Sequence, residues 1–329
     1  MNNFVFTCGD INGIGPEITL KALNKLYRRR SSKFIFICPE NVFLQTIKKV
    51  RVNFRYKIID SKEFFDFNDV IIFNIGNAKQ QTGFPTAESG DAAFNAIKLS
   101  FELADVGIAD GIITAPISKT ALKLAGINFP GHTEMYAKWS KRKDYAMTFL
   151  SAKMNAALMT IHEPVKNISR LINEDLISAK FDLLLDMLKK DLRISSPKIA
   201  VLGLNPHAGE NGFIGSEEEE IIKPVINRKK YSKNFFGTFS PDAFFANRLY
   251  SNYDMVLGMY HDQVLIPFKL LNFGMGVNYT AGLPIVRTSP DHGTAFDIAG
   301  KNKADESSIL QAFSYAEKIV NNRKINERK

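Results

Sequence analysis

Three short apolar runs, each followed by a histidine, do most to limit what this chain can fold into. The runs are residues 157–161, 199–204 and 255–260, and the histidines that follow them are His162, His207 and His261. Apolar runs of this length are typical of strands that are buried on both faces, which pair in parallel. Because ligands of open parallel sheets bind beyond the carboxyl ends of the strands, we expect the three imidazoles at one such edge.

Three neutral imidazoles that leave one position open are a common catalytic zinc site. The alternative is that each histidine only caps or hydrogen-bonds its own loop, as loop histidines often do. Three histidines in the same topological position favour a shared ion. Imidazoles also accept other divalent metals, so the identity of the ion stays open.

Strand-like and helix-like segments alternate along most of the chain. The strand-like segments include residues 4–8, 34–38, 70–73 and 111–114, and the helix-like ones 16–27, 40–49, 90–104, 118–124 and 173–192. This alternation predicts an α/β fold with a largely parallel sheet. A length of 329 residues favours two domains, although no linker marks a boundary.

Composition narrows the classes of protein further. With 45% hydrophobic and 23% charged residues, the chain has the balance of an ordinary soluble globular protein. It has no apolar run of ~18 residues and no signal peptide before residues 4–8, so we expect no membrane association and a cytoplasmic location. Cys8 and Cys38 lie in strand-like runs, which suits buried reduced thiols.

The net charge of +9 would suit nucleic acid or small anionic substrates. The basic clusters 28–30, 228–230 and 318–329 lack interleaved aromatic residues and belong to no recognisable nucleic-acid module. We therefore interpret them as solvated surfaces, and expect a small phosphorylated or carboxylated substrate and no nucleic acid.

Several polar segments have the residues of an anion site. Residues 114–119 and 131–134 place hydroxyls and an imidazole beside helix starts, where they could bind phosphate or simply cap the helices. Residues 261–299 add lysine and arginine, and so many polar groups among apolar ones are costly unless they line a site.

A family resemblance rests on ordered motifs that cover nearly the whole chain. They are Gly13-Ile14-Gly15-Pro16-Glu17, Thr114-Ala115-Pro116-Ile117-Ser118-Lys119, Gly131-His132-Thr133-Glu134, Leu204-Asn205-Pro206-His207-Ala208-Gly209-Glu210, Tyr260-His261-Asp262-Gln263 and His292-Gly293-Thr294-Ala295-Phe296-Asp297-Ile298-Ala299-Gly300. With these motifs the chain resembles the 4-hydroxythreonine-4-phosphate dehydrogenases, the PdxA-like, NAD-dependent enzymes of pyridoxal phosphate biosynthesis.

The resemblance implies a two-domain α/β/α fold like that of isocitrate and isopropylmalate dehydrogenases, without the Gly-x-Gly-x-x-Gly fingerprint of the Rossmann fold. It implies a first domain of residues 1–130 plus 282–329 on the NAD side, and a second domain of 131–281 with the metal ligands and dimer contacts. It also implies a homodimer with a shared active site.

The resemblance assigns roles to residues that match its motifs. One divalent ion (Zn, Co, Mg or Mn) would be bound by His162, His207 and His261. The phosphorylated substrate would contact His132, Thr133, Lys269, Asn278 and Arg287. NAD or NADP would lie near Asp291, His292, Gly293, Thr294 and Asp297. The candidates for the general base are Asp262 and Lys269, which could instead orient a ligand and neutralise the phosphate.

Two segments depart from the family pattern. Ile11-Asn12 stand where the family commonly has Pro-Ala, and residues 163–166 after His162 are not the usual run.

The expected reaction is NAD(P)-dependent oxidation of 4-phosphooxy-L-threonine to 2-amino-3-oxo-4-phosphooxybutanoate, which decarboxylates to 3-amino-2-oxopropyl phosphate. One alternative is a dehydrogenase for threonate or erythronate 4-phosphate. Others are a phosphate acyltransferase of similar fold, which needs no metal-binding histidines, and a metallohydrolase, which leaves residues 291–300 unexplained.

Overall fold

The computed structural model describes residues 1–29, 31–61 and 69–327. Arg30 of the basic cluster 28–30 and the last two residues of the cluster 318–329 lie outside these ranges. None of the helices in the described ranges is both long enough and apolar enough to cross a bilayer.

Strands and helices alternate along most of the chain. The strands are β1 (Asn2–Thr7), β2 (Ser32–Cys38), β3 (Tyr56–Ile59), β4 (Val70–Asn74), β5 (Gly111–Thr114), β6 (Ala146–Leu150), β7 (Ala156–Leu158), β8 (Ile199–Leu202), β9 (Phe235–Phe239), β10 (Met255–Gly258), β11 (Val277–Ala281) and β12 (Val286–Pro290). The α-helices are α1 (Gly15–Leu26), α2 (Glu40–Thr46), α3 (Ala87–Asp105), α4 (Lys119–Leu124), α5 (His132–Trp139), α6 (Ile168–Leu171), α7 (Glu174–Lys190), α8 (Lys223–Ile226), α9 (Pro241–Ala246), α10 (His261–Leu271) and α11 (Ser307–Glu327).

The chain divides into two compact units. The first contains Met1–Lys141 and Leu283–Val320, and the second contains Arg142–Gly282 and Asn321–Lys329. The resemblance implied a first domain of residues 1–130 plus 282–329 and a second of 131–281, so residues 131–141, Gly282 and the residues from Asn321 onward belong to the other unit here. The difference matters for the site, because His132 and Thr133 share a unit with Arg287.

The first unit is built on parallel strands in the order β3-β4-β2-β1-β5-β12. The side chains of β1 and β5 are almost entirely buried, as the apolar runs indicated. Phe313 of α11 packs edge-on against Phe4 of β1, with ring centroids 4.9 Å apart, so this helix covers one face of the sheet. Burial on both faces explains why these strands lack an alternating polar pattern.

In the second unit the strand order is β11-β6-β7-β10-β8-β9. Strands β7, β10, β8 and β9 pair in parallel, whereas β6 pairs antiparallel with both β11 and β7. The three runs that precede the histidines are therefore neighbouring parallel strands, as predicted. The long helix α7 is also confirmed, and the Asn173 side chain caps it by accepting the Leu176 N–H at 2.9 Å.

Candidate active site

The carboxyl ends of β7 and β10 bring two of the predicted histidines together. His261 begins α10 directly after β10, and His162 follows β7 with a left-handed φ of 54°. Their ring centroids are 6.0 Å apart. Thr160 joins the two segments, because its N–H and its hydroxyl both donate to the carbonyl of Met259, at 3.2 and 2.7 Å.

The spacing of these two rings is close to that of two ligands on one metal ion. Because a metal to nitrogen distance is roughly 2.0–2.1 Å, two imidazoles on one tetrahedral ion have centroids roughly 5 Å apart. The 6.0 Å between the centroids of His162 and His261 is somewhat larger, so the two rings are neighbours that stand slightly further apart than bound ligands do. Residues with a strained backbone are common at functional sites, so the left-handed φ of His162 agrees with a role as a metal ligand.

His207 lies on an unusual left-handed turn, Pro206–Gly212. Residues 207–211 all have positive φ, from 44° to 79°. Left-handed backbone costs about 1–2 kcal/mol for each non-glycine residue, so neighbouring groups must hold the turn. The fully buried carboxylate of Glu218 does so: it accepts the Asn205 N–H at 2.7 Å and the Asn205 side-chain amide at 2.9 Å.

The three histidines do not form one ligand group within a single chain. Among residues 1–29, 31–61 and 69–327, no three His, Cys, Asp or Glu side chains are grouped closely enough to bind a metal. His207 instead lies near the carboxylate of Asp242. The pKa of Asp242 is lowered mainly by the Ser240 hydroxyl, with a smaller contribution from His207.

Residues beside His261 orient its ring. Asp262 Oδ1 lies 2.7 Å from His261 Nδ1, which leaves Nε2 for a ligand. The Gln263 side chain accepts the Met259 N–H at 2.7 Å and donates to the Gly203 carbonyl at 2.6 Å, so it links the ends of β10 and β8. The contact between Asp262 Oδ1 and His261 Nδ1 is the one expected of a carboxylate that orients a histidine ligand.

The remaining predicted substrate residues of the second unit are Lys269 and Asn278. Lys269 is exposed on α10, two turns beyond His261. Asn278 lies on β11, where its Oδ1 is buried and has no hydrogen-bond partner among the residues described. A buried acceptor without a partner is costly, which is expected of a group that meets a ligand.

In the first unit, Arg287 and His132 lie in one polar cluster, in which Arg287 is buried and His132 is partly exposed. Arg287 of β12 is only 2% exposed, and its Nε and Nη2 donate to the hydroxyl of Thr114 at 3.0 and 2.5 Å. Its guanidinium also lies over the ring of Tyr136, 5.9 Å from the centroid. Thr133 of α5 is 3% exposed.

Burial sets the protonation states of this cluster. It lowers the pKa of His132 well below its ordinary value, and the charge of Arg287 lowers it further. It also lowers the pKa of Arg287 to about 10, which leaves the guanidinium charged at neutral pH. His132 Nε2 is buried and unpartnered within the described part of the chain. A fixed cation beside a neutral imidazole suits an anionic group.

The predicted dinucleotide segment packs against the glycine turn that precedes α1. The Thr294 carbonyl accepts the Ile14 N–H at 3.0 Å, and an added Cβ on Gly13 would lie 2.7 Å from that oxygen. Asp291, His292, Gly293 and Asp297 lie on the same loop, where Asp297 and Gly293 are exposed. A side chain at position 13 would collide with the Thr294 carbonyl, so the close approach of these two loops requires glycine there.

Glu218 and Tyr136 have structural roles in the site that sequence reasoning missed. Glu218 belongs to the run 217–220, and nothing in that run distinguishes the one carboxylate that is buried. Tyr136 follows the motif Gly131-His132-Thr133-Glu134 at helical spacing, a signal that could have placed it beside His132.

A family model, curated relatives and solved structures that are similar to this chain indicate one family. The model of the family described as pyridoxal phosphate biosynthetic protein PdxA matches residues 30–316. A 4-hydroxythreonine-4-phosphate dehydrogenase of Sulfurihydrogenibium sp. is 41% identical over 96% of this chain and 98% of its own. A crystal structure of the enzyme of that name from Klebsiella pneumoniae has a TM-score of 0.82 at 35% identity, covering 97% of this chain and 100% of its own. A D-threonate 4-phosphate dehydrogenase of Pectobacterium atrosepticum is 37% identical over 95% of this chain and 98% of its own.

More distant structures share the fold alone. Isocitrate dehydrogenase from Methylococcus capsulatus has a TM-score of 0.50 at 13% identity, covering 100% of this chain and 88% of its own. The predicted likeness to the isocitrate dehydrogenase fold is therefore confirmed.

Proposed function

Since this chain belongs to the family of the pyridoxal phosphate biosynthetic protein PdxA, we propose that it is a 4-hydroxythreonine-4-phosphate dehydrogenase. It would oxidise the C3 hydroxyl of 4-phosphooxy-L-threonine to give 2-amino-3-oxo-4-phosphooxybutanoate, which loses carbon dioxide to form 3-amino-2-oxopropyl phosphate. The observation that carries this proposal is the 41% identity across nearly the full length of both chains. We place the reaction in the cytoplasm.

The chemistry requires a hydride acceptor and a Lewis acid. When bound, NAD or NADP takes up the hydride, and a divalent metal (Zn, Co, Mg or Mn) lowers the pKa of the substrate hydroxyl. His162 and His261 would bind the ion, and Asp262 would keep His261 Nε2 directed at it. His207 would complete the ligand set.

In the first unit, the polar cluster would bind the phosphate of the substrate. Arg287 supplies a cation that stays charged, and His132 Nε2 supplies a buried polar atom that a phosphate oxygen could contact. Thr133 adds a hydroxyl at the start of α5. Lys269 and Asn278 are further candidates for contact with the substrate, and Lys269 remains a candidate for the group that accepts the hydroxyl proton.

The surface of the second unit favours a homodimer. Ile266, Leu270 and Phe273 follow one another at helical spacing on and just after α10, and they are 58%, 81% and 94% exposed. An exposed apolar patch of this kind is typical of a protein interface. A second copy of the chain, covering this patch, would also allow His207 of one protomer to reach the His162–His261 pair of the other.

A substrate panel tests the proposed reaction. NADH formation would be measured with 4-phosphooxy-L-threonine, D-threonate 4-phosphate and D-erythronate 4-phosphate, before and after removal of metal by a chelator. We expect the largest kcat/KM with 4-phosphooxy-L-threonine and loss of activity without metal. Activity that survives chelation would contradict the metal site.

The second candidate function is oxidation of D-threonate 4-phosphate. It is favoured by the relative of that name, which is only slightly less similar at 37% identity. The same phosphate and metal groups would serve a sugar acid. Faster turnover of threonate 4-phosphate in the panel would replace the first proposal with this one.

A further inference from the structure

A cavity of about 280 Å³ lies in the first unit beside the end of the predicted dinucleotide segment. Its lining includes Gly13, Thr46, Lys48, Lys49, Thr82 and Gly300. Pockets for small ligands commonly hold roughly 300–1,000 Å³, so this one lies just below that range and suits a fragment of a dinucleotide and not the whole molecule.

The charge of the cavity is positive. Lys48 and Lys49 are exposed, and neither ammonium has an ion-pair partner in the part of the chain that the structure describes. The acidic residue of the lining, Glu17, is already neutralised, because its Oε1 accepts from Lys21 Nζ and from the Ala304 N–H, both at 2.9 Å. The cavity therefore suits an anion.

Lys49 lies directly over Gly300. An added Cβ on Gly300 would be 3.1 Å from Lys49 Nζ and 2.9 Å from the Thr82 methyl carbon, and Gly300 has a φ of +71°. Glycine thus allows the segment 291–300 to end against the ammonium group and the hydroxyl-bearing side chain. The Lys49 ammonium and Gly300, the last residue of the predicted dinucleotide segment, therefore lie side by side in the lining of the cavity.

The loop of residues 80–82, which also lines the cavity, is held in place by Asn12. This residue is fully buried, and its Oδ1 accepts the Gln81 N–H at 2.7 Å while its Nδ2 donates to the Phe84 carbonyl at 2.8 Å. The side chain of Gln80, which lines the cavity, donates to the Ile11 carbonyl at 2.5 Å. Ile11-Asn12, where the family commonly has Pro-Ala, therefore fix the loop that carries Gln80 and Thr82.

We propose that this cavity binds the phosphorylated ribose of the adenosine half of NADP, with Lys49 paired to the 2′-phosphate. The inference rests on the proposed function, since it assumes a dinucleotide on the segment 291–300. Lysine binds phosphate as a point charge, and the hydroxyl of Thr82 can donate to a further oxygen. NAD lacks this phosphate, so the cavity favours NADP.

Calorimetric titration with two cofactor fragments tests the site without turnover. The probes are ADP-ribose and 2′-phospho-ADP-ribose, and the variants are Lys49→Gln and the matched control Lys123→Gln, an exposed lysine on α4. Since a hydrogen bond to a charged group is worth about tenfold or more in affinity, we expect wild type to prefer the phosphorylated probe by about that factor. Lys49→Gln should remove the preference and leave the affinity for ADP-ribose unchanged, whereas Lys123→Gln should behave as wild type.

Three outcomes would overturn the site: no preference in wild type, a preference that survives in Lys49→Gln, or an equal loss for both probes. Turnover of 4-phosphooxy-L-threonine, measured separately, keeps this result apart from the proposed function. Normal turnover with no effect of Lys49→Gln rejects the phosphate site alone. Absent turnover with the expected binding pattern rejects the substrate and leaves the site in place.

Discussion

At the scale of single residues, Arg287 and His132 place a fixed cation beside an imidazole in the first unit. Both were named as substrate residues from the motifs that carry the family resemblance, and these roles stay predictions. The burial of Arg287 and its hydrogen bonds to the Thr114 hydroxyl depend on β5 and β12 lying side by side, although Thr114 and Arg287 are 173 residues apart in sequence. No local pattern reveals such a contact.

His132 should make stability fall in mild acid. Its folded-state pKa is lowered by burial, so at pH values below about 6.5 the unfolded chain binds a proton that the folded chain does not. The contribution of His132 to the free energy of unfolding should therefore be fully present above that pH. Below it, the free energy of unfolding should fall by about 1.4 kcal/mol per pH unit, until the folded-state pKa is reached.

Chemical denaturation of wild type, His132→Gln and His292→Gln between pH 7 and pH 5 measures this slope. The His132 variant should lose its contribution to the slope, and the His292 variant should keep it because His132 is intact. Identical slopes in all three proteins would mean that folding does not lower the pKa of His132.

Arg287→Lys tests whether substrate binding needs the planar guanidinium with its several donors, or only a positive charge. Lysine keeps the charge but cannot donate to Thr114 through two nitrogens at once, so the ammonium would be poorly placed for a phosphate. We expect KM for the phosphorylated substrate to rise by about tenfold or more, with a much smaller change in kcat. An unchanged KM in steady-state kinetics would remove Arg287 from the substrate site.

At the scale of elements, the left-handed turn Pro206–Gly212 positions His207, and Glu218 holds that turn. Glu218→Gln replaces a charged acceptor with a neutral amide, and hydrogen bonds to charged groups contribute about 1.5–3 kcal/mol. We expect a loss of stability of about that size and a larger proportional loss of activity. Glu220→Gln, an exposed neighbour in the same acidic run, is the matched control and should change neither.

Thermal unfolding and NADH formation, measured on both variants, separate the two effects. Full activity in a destabilised Glu218→Gln protein would show that the turn does not need its left-handed form for catalysis.

The elements themselves were largely predictable where burial leaves a pattern in the sequence. The runs before the three histidines form β7, β8 and β10, and their apolar character follows from burial on both faces. The antiparallel pairing of β6 with β7 and β11 was not predicted, because a fully buried antiparallel strand such as β6 has the same apolar run as a parallel one. The left-handed turn was also invisible, since only one of residues 207–211 is glycine.

At the scale of the whole molecule, one chain brings His162 and His261 together but leaves His207 out of their group. A homodimer in which each ion is bound by the pair of one protomer and His207 of the other would resolve this. The exposed apolar residues of α10 provide a surface for such an assembly. In such a dimer each protomer depends on its partner for one metal ligand, which is not so for a site built from one chain.

Mixed dimers of His207→Ala and His261→Ala test it. Each variant alone should be inactive and remain folded, since both imidazoles lie at the ends of strands outside the apolar core. If the two chains are unfolded together and refolded, a mixed C2 dimer has one site with every ligand intact, so activity should return to about a quarter of wild type. A site built from one chain gives no such recovery, because every site in every dimer then lacks a ligand. Recovery should disappear in a Leu270→Glu background if the α10 surface forms the interface, and light scattering would show monomers there.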